Sequence, residues 1–255
     1  MRTFLKPVTV GAAALLSLAG CGGTNVQDGM TLDLALITAR ARPISGAAGE
    51  RELMNDQGTR AVLTSGFVTL GSVELLPCAE VGWKRFLRQL SPVGTAWAHH
   101  TVTHPTRLDT AHVVNLGSAD GTVIPLGAVH PPPGRYCHAR LNFEPAGNDA
   151  QGLAAAAQGD APVDMVGRSL HLRGTLSTGQ DSEPQPFEVS FQTRASVDVL
   201  LEWVTLSEAN PHTQLVFALS WDTWLDGVSA EQPPANVDLV GNVARSVVPP
   251  SSVAP

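Results

Sequence analysis

Apolar and polar residues alternate along most of the chain with a period of two. Leu32, Leu34 and Leu36 alternate with Asp33 and Ala35. Phe187, Val189 and Phe191 are separated by Glu188 and Ser190, and Leu215, Phe217, Leu219 and Trp221 repeat the pattern. Such alternation predicts half-buried strands, because successive side chains of an extended chain point to opposite faces. Further strands are predicted at Val62–Leu76, His112–Leu116, Thr122–Leu126, Arg135–Phe143, Ser169–Leu176 and Val197–Leu201. Gly66 and Gly71 interrupt the longest of these, where a bulge or bend is expected. In the strand 135–143, Cys137, Ala139, Leu141 and Phe143 share the inward face, while His138, Arg140 and Asn142 point outward.

Helical spacing is rare. Trp83, Phe86, Leu87 and Leu90 fall at i, i+3, i+4 and i+7, and Val237, Val240, Val243 and Val247 suggest a closing helix. Residues 145–163, with alanine at 154–157, read as a loop or short helix, and the residues before Val62 as a polar, glycine-rich loop. Nine or ten short strands with Gly/Pro turns predict an all-β chain, an antiparallel β-sandwich with one or two short helices. One domain over 31–248 is expected, with a loose tail at 249–255.

The first twenty residues break this pattern. Arg2 and Lys6 precede an apolar run from Val8 to Ser17, and small residues follow. That is the anatomy of a secretory signal, too short to span a bilayer comfortably. Leu18-Ala19-Gly20-Cys21 resembles the lipobox of bacterial lipoproteins. The resemblance implies removal of residues 1–20, a diacylglyceryl thioether on Cys21 and a membrane-anchored, exported protein. Gly22 stands where aspartate would resemble an inner-membrane retention signal, so in a two-membrane host the outer membrane is implied. The alternative is an ordinary secretory signal with a chance cysteine. Residues 21–30 then form a flexible tether.

Charge and cysteine content narrow the picture. Without Arg2 and Lys6 the 16 basic residues fall to 14 against 23 acidic ones, a net charge of −9. That balance, with no basic stretch, argues against nucleic acid as a partner. With Cys21 lipidated, Cys78 and Cys137 are the remaining thiols, and an oxidising compartment favours pairing them. Metal thiolates are the other reading, although neither cysteine lies in a C-x-x-C.

Reactive side chains are concentrated in one stretch. His99, His100, His104 and His112 account for four of the eight histidines within fourteen residues. Imidazole suits copper and zinc, which makes a metal site the sharpest hypothesis; a polar surface loop is the plainer one. On a strand His100 and His104 would lie about 13 Å apart, too far to share one ion. A site built on His99, His100 or His104 therefore needs a histidine from elsewhere, such as His112, His130 or His138.

Pro132-Pro133-Gly134-Arg135-Tyr136 and Trp221-Asp222-Thr223-Trp224 are similar to segments of the methanobactin-associated MbnP-like copper proteins. The resemblance rests on about ten residues. It implies an exported β-sandwich and copper as a cofactor or cargo, and it transfers no ligand. The additional cysteine pair common in many of those proteins is missing here. Some of them carry an oxidatively modified tryptophan near the copper, which makes Trp97 the position to inspect; a buried core tryptophan is the plainer reading.

No G-x-S-x-G elbow, H-E-x-x-H, Walker loop or dinucleotide fingerprint occurs, so no enzyme is expected. Asp222 with Asp226, and Asp198 with Glu202, are the carboxylate pairs that catalysis could use; in so acidic a chain they also arise by chance. Glu202-Trp203 and Asp222-Thr223-Trp224 could frame a sugar platform, with core packing the alternative role for the tryptophans. Two function classes remain. One is a lipid-anchored metal-handling module; the other is a metal-free structural or protein-interaction domain of the cell envelope.

Overall fold

The computed structural model describes residues 30–41, 51–78, 104–158, 162–178 and 182–249, apart from 208 and 210, and for Trp203 the backbone alone. Cys21, His99 and His100, Trp97, the helix expected at 83–90 and the tail beyond 249 lie outside the described residues.

Two β-sheets face each other across a common core. The smaller contains β1 (Thr31–Ala39), β6 (Ile124–Val129), β11 (His212–Ser220) and β12 (Val247–Val248), ordered β12-β11-β1-β6. The larger has eight strands: β2 (Arg51–Met54), β3 (Arg60–Pro77), β4 (Arg107–Leu108), β5 (His112–Asn115), β7 (Gly134–Phe143), β8 (Leu170–Ser177), β9 (Gln185–Phe191) and β10 (Ala195–Leu206). Helices among the described residues are short, Leu153–Ala157 and Leu239–Arg245, and none is long and apolar enough to cross a membrane. The antiparallel sandwich with short helices is thus the observed architecture. One pairing departs from it: β1 and β11 run parallel, Thr31 opposite His212 through Ala39 opposite Ser220.

The 18-residue β3 is the spine of the larger sheet. Val68 pairs with both Val114 of β5 and Leu170 of β8, and Leu70 with both His112 of β5 and Phe143 of β7. A residue with two partners has one on each edge. Strands β2, β5 and β4 therefore line one edge of β3, and β8 and then β7 line the other. The handover from β8 to β7 needs a bend, and the two glycines supply it. Register shifts fall between Leu63 and Ser65, just before Gly66, and between Leu70 and Ser72, at Gly71. A Cβ on Gly71 would lie 2.2 Å from the Glu144 side chain, so only glycine lets Glu144 cross the spine here.

Leu32, Leu34 and Leu36 of β1 meet Val73, Leu75, Ala139, Leu141 and Phe143 in the core between the sheets, with Phe217, Leu219 and Trp221 beside them. A smaller cluster forms on the outer side of the large sheet, where Phe67 and Val113 are covered by Ala146, Ala150, Ala156, Val163 and Met165. At the C-terminus Asp238 caps the helix Leu239–Arg245 by accepting from the Gly241 amide at 2.9 Å. Val247 leaves the expected helix to pair with Leu219, because its β-branched neighbour Val248 continues as an edge strand. Arg51–Met54 is a strand where a polar loop was expected. Its Leu53 is fully buried opposite Ala61.

Candidate functional site

Cys78 and Cys137 form a disulfide, with Cα atoms 4.8 Å apart across a separation of 59 residues. The bond joins the residue just past β3 to the outset of β7, and the Cys78 amide donates to the Arg135 carbonyl at 3.0 Å. The thiols are therefore spent on structure, and the thiolate reading is excluded for this pair.

The chain's topology sorts the histidines. β1 begins at Thr31, opposite His212, and Leu32 pairs with Val129, the residue before His130. The turn after His130 leads straight into β7, whose Gly134 pairs with Leu206 at the close of β10. His138 pairs with Leu76 on one edge of β3. On the other edge the Leu75 amide donates to the carbonyl of Thr106, two residues after His104. His104, His130, His138 and His212 are all exposed, and all sit at the end of the sandwich where β1 begins. Spacing along the sequence gave no hint of His212. It joins the group because β11 runs parallel to β1.

His112 is different. It is buried opposite Leu70, whose side chain belongs to the core between the sheets, and its ring is bonded to the Leu126 carbonyl. His171, the seventh histidine along the chain, is fully buried opposite Phe67 on the outer face, with Nδ1 2.9 Å from Ser190 Oγ. Opposite faces of one sheet cannot share an ion. Among the described residues no group of three His, Cys, Asp or Glu side chains is arranged to hold a metal.

Burial lowers the pKa of both interior histidines from the ordinary value of about 6.5. At His112 the Leu126 carbonyl opposes the shift; at His171 Glu188 opposes it, and Arg173 and Arg168 reinforce it. Nε2 of each ring is buried without a partner among the described residues, so the neutral form is the one this fold accommodates. A lowered folded pKa gives stability that is complete above about pH 6.5 and declines as pH falls through the folded values, because the unfolded chain protonates first. Unfolding free energy should thus drop as pH falls below about 6.5, before most carboxylates titrate. Denaturant melts at several pH values read this directly, and an undiminished slope in His171→Gln would remove His171 from the account.

The Trp221-Asp222-Thr223-Trp224 segment is a turn of 3-10 helix at the end of β11. Trp221 is fully buried, and the guanidinium groups of Arg40 and Arg51 lie over its ring, 4.8 and 4.7 Å from the centroid. Its Nε1–H donates to Asp120 at 3.0 Å. Arg51 in turn pairs with Asp120 and donates to the Leu116 and Ser118 carbonyls. The Trp224 indole donates to Ser246 Oγ at 2.9 Å, and Asp222 accepts from the Ala41 amide at 2.8 Å. This tryptophan pair is therefore core, not an exposed sugar platform. Asp198 pairs bidentately with Arg140 at 2.7 and 2.9 Å, which holds its carboxyl below the usual range and commits it to an ion pair.

Compared with known proteins, the chain matches no family model and no curated protein. Among solved structures it is similar to MbnP from Methylosinus trichosporium, at 9% identity, over 73% of this chain and 76% of that one. The TM-score is 0.31, too low for that likeness to carry an argument.

Proposed function

We propose that this chain is an exported, lipid-anchored metal-handling module, with copper as the metal. What supports the reading is that His104, His130 and His138 are all exposed at the end of the sandwich where β1 begins; among the described residues they do not by themselves form a metal-holding group, so a ligand from 99 or 100 completes the set. Exposed imidazoles are apt ligands for copper. His99 and His100 stand five and four residues from His104, within reach of the same end by chain length alone. The disulfide contributes by tying Cys78, which precedes residues 79–103, to Cys137, the residue before His138. The buried His112 leaves the ligand set. The acidic net charge favours a cation over an anionic partner.

In this reading His99, His100 or His104 supplies ligands together with His130 or His138. Titration of the mature protein with copper or zinc at neutral pH should show stoichiometric binding that weakens as pH falls through about 6.5. Alanine at 99, 100 and 104 together should abolish it while leaving the far-UV circular dichroism unchanged. A wild-type protein that binds neither metal, or a triple variant that binds as well, would establish the envelope interaction domain instead.

Anchoring has its own test. Cys21→Ser should release the protein from the membrane fraction or leave the signal uncleaved. Normal maturation and fractionation of that variant would refute the lipobox reading.

A further inference from the structure

We infer that the outer face of the eight-stranded sheet binds a small uncharged polyhydroxylated ligand, a sugar unit, over Ser72, Asn142 and Ser196. These residues are in register on β3, β7 and β10: Asn142 is opposite Ser72 on one side and Ser196 on the other. At about 4.8 Å per strand they form a polar row roughly 10 Å long. The row floors a concave pocket of about 420 Å³, also lined by Arg107, Glu144 and Arg194. That volume suits a small ligand.

Its unspent hydrogen bonds define the ligand. Ser72 is buried, and its Oγ accepts from Asn142 Nδ2 at 2.8 Å and from Arg107 at 3.4 Å, leaving its own O–H to donate. Among the described residues the Asn142 amide oxygen and the Ser196 hydroxyl have no partner. Donor, acceptor and a group that is both thus alternate along the row, and vicinal hydroxyls, each able to donate and accept, complement such a row. The charges at the rim are already matched. Arg107 pairs with Asp109 at 2.5 Å, and Arg194 lies 3.7 Å from Glu144, whose path over the sheet depends on Gly71. A carboxylate beside each guanidinium opposes a free anion, while the buried Arg107 Nε–H, without a hydrogen-bond partner among the described residues, is left to donate to a neutral oxygen. The Phe143 ring is turned into the core, so a purely apolar ligand gains little either.

The test uses the mature chain in detergent, with glucose, galactose, mannose, N-acetylglucosamine and cellobiose as probes in saturation-transfer NMR and titration. At least one saccharide should bind saturably in the millimolar range or tighter. Ser196→Ala, at an exposed position, and Asn142→Ala should each weaken it about tenfold, the loss of roughly one hydrogen bond. Asp198→Ala, on the same face outside the pocket, should leave it unchanged. No saturable binding by any probe, or binding indifferent to both variants, would overturn the inference. So would competition by acetate or phosphate, which would make the ligand an anion.

Discussion

Replacing Trp221 with alanine is expected to destabilise the fold by about 3–5 kcal/mol, the usual range for emptying a buried tryptophan site. The indole is fully buried where β11 ends, and its ring spaces two guanidinium groups. Without it, Arg40 and Arg51 face each other across a cavity and Asp120 loses the indole N–H. Trp221→Phe keeps most of the packing and the ring face. It loses the hydrogen bond and part of the cation–π attraction, so its cost should be on the order of 1–2 kcal/mol. In a chain of this size each kcal/mol shifts Tm by roughly 2–4 °C, so thermal melts resolve the series. Equal melting temperatures for wild type and Trp221→Ala would mean that this cluster is peripheral to stability.

Breaking the Cys78–Cys137 bond should cost a comparable 2–5 kcal/mol, roughly the loss seen for small exported domains. The chain-entropy account gives about 4 kcal/mol for a 59-residue loop. Cys78→Ala with Cys137→Ala, or the wild type melted in strong reductant, should show the loss equally. Before reduction both thiols should resist alkylation. If the metal reading holds, reduction should also weaken copper binding, because the segment carrying His99 and His100 loses its tie beside His138. A protein equally stable with and without reductant would show that the bond only decorates a fold already fixed by β3 and β7.

Period-two alternation fixed where many of the strands run, because pleating alone dictates it. Thus β1, β7, β8, β9 and β11 lie close to their expected spans, and the inward face of Ala139, Leu141 and Phe143 was legible from single positions. The cysteine pairing was legible too: if the chain is exported and Cys21 carries a lipid, the two thiols that remain have one partner each. Boundaries were less so. β10 extends to Leu206, and β6 is displaced to Ile124–Val129, because neighbouring strands rather than local pattern decide how far pairing continues.

Other features existed only after folding. Alternation follows from burying one face of a pleated strand, whichever way its neighbour runs, so nothing along β1 or β11 announces that they run parallel. That pairing alone brings His212 beside the start of β1. His112 and His171 look like any other histidines in the chain. Register against Leu70 and Phe67 is what buries them on opposite faces. Arg51, Asp120 and Trp221 are scattered over 170 residues, and Ser72, Asn142 and Ser196 over 124. Local sequence determines which way a side chain points from its own strand; only the register between distant strands determines what it meets there.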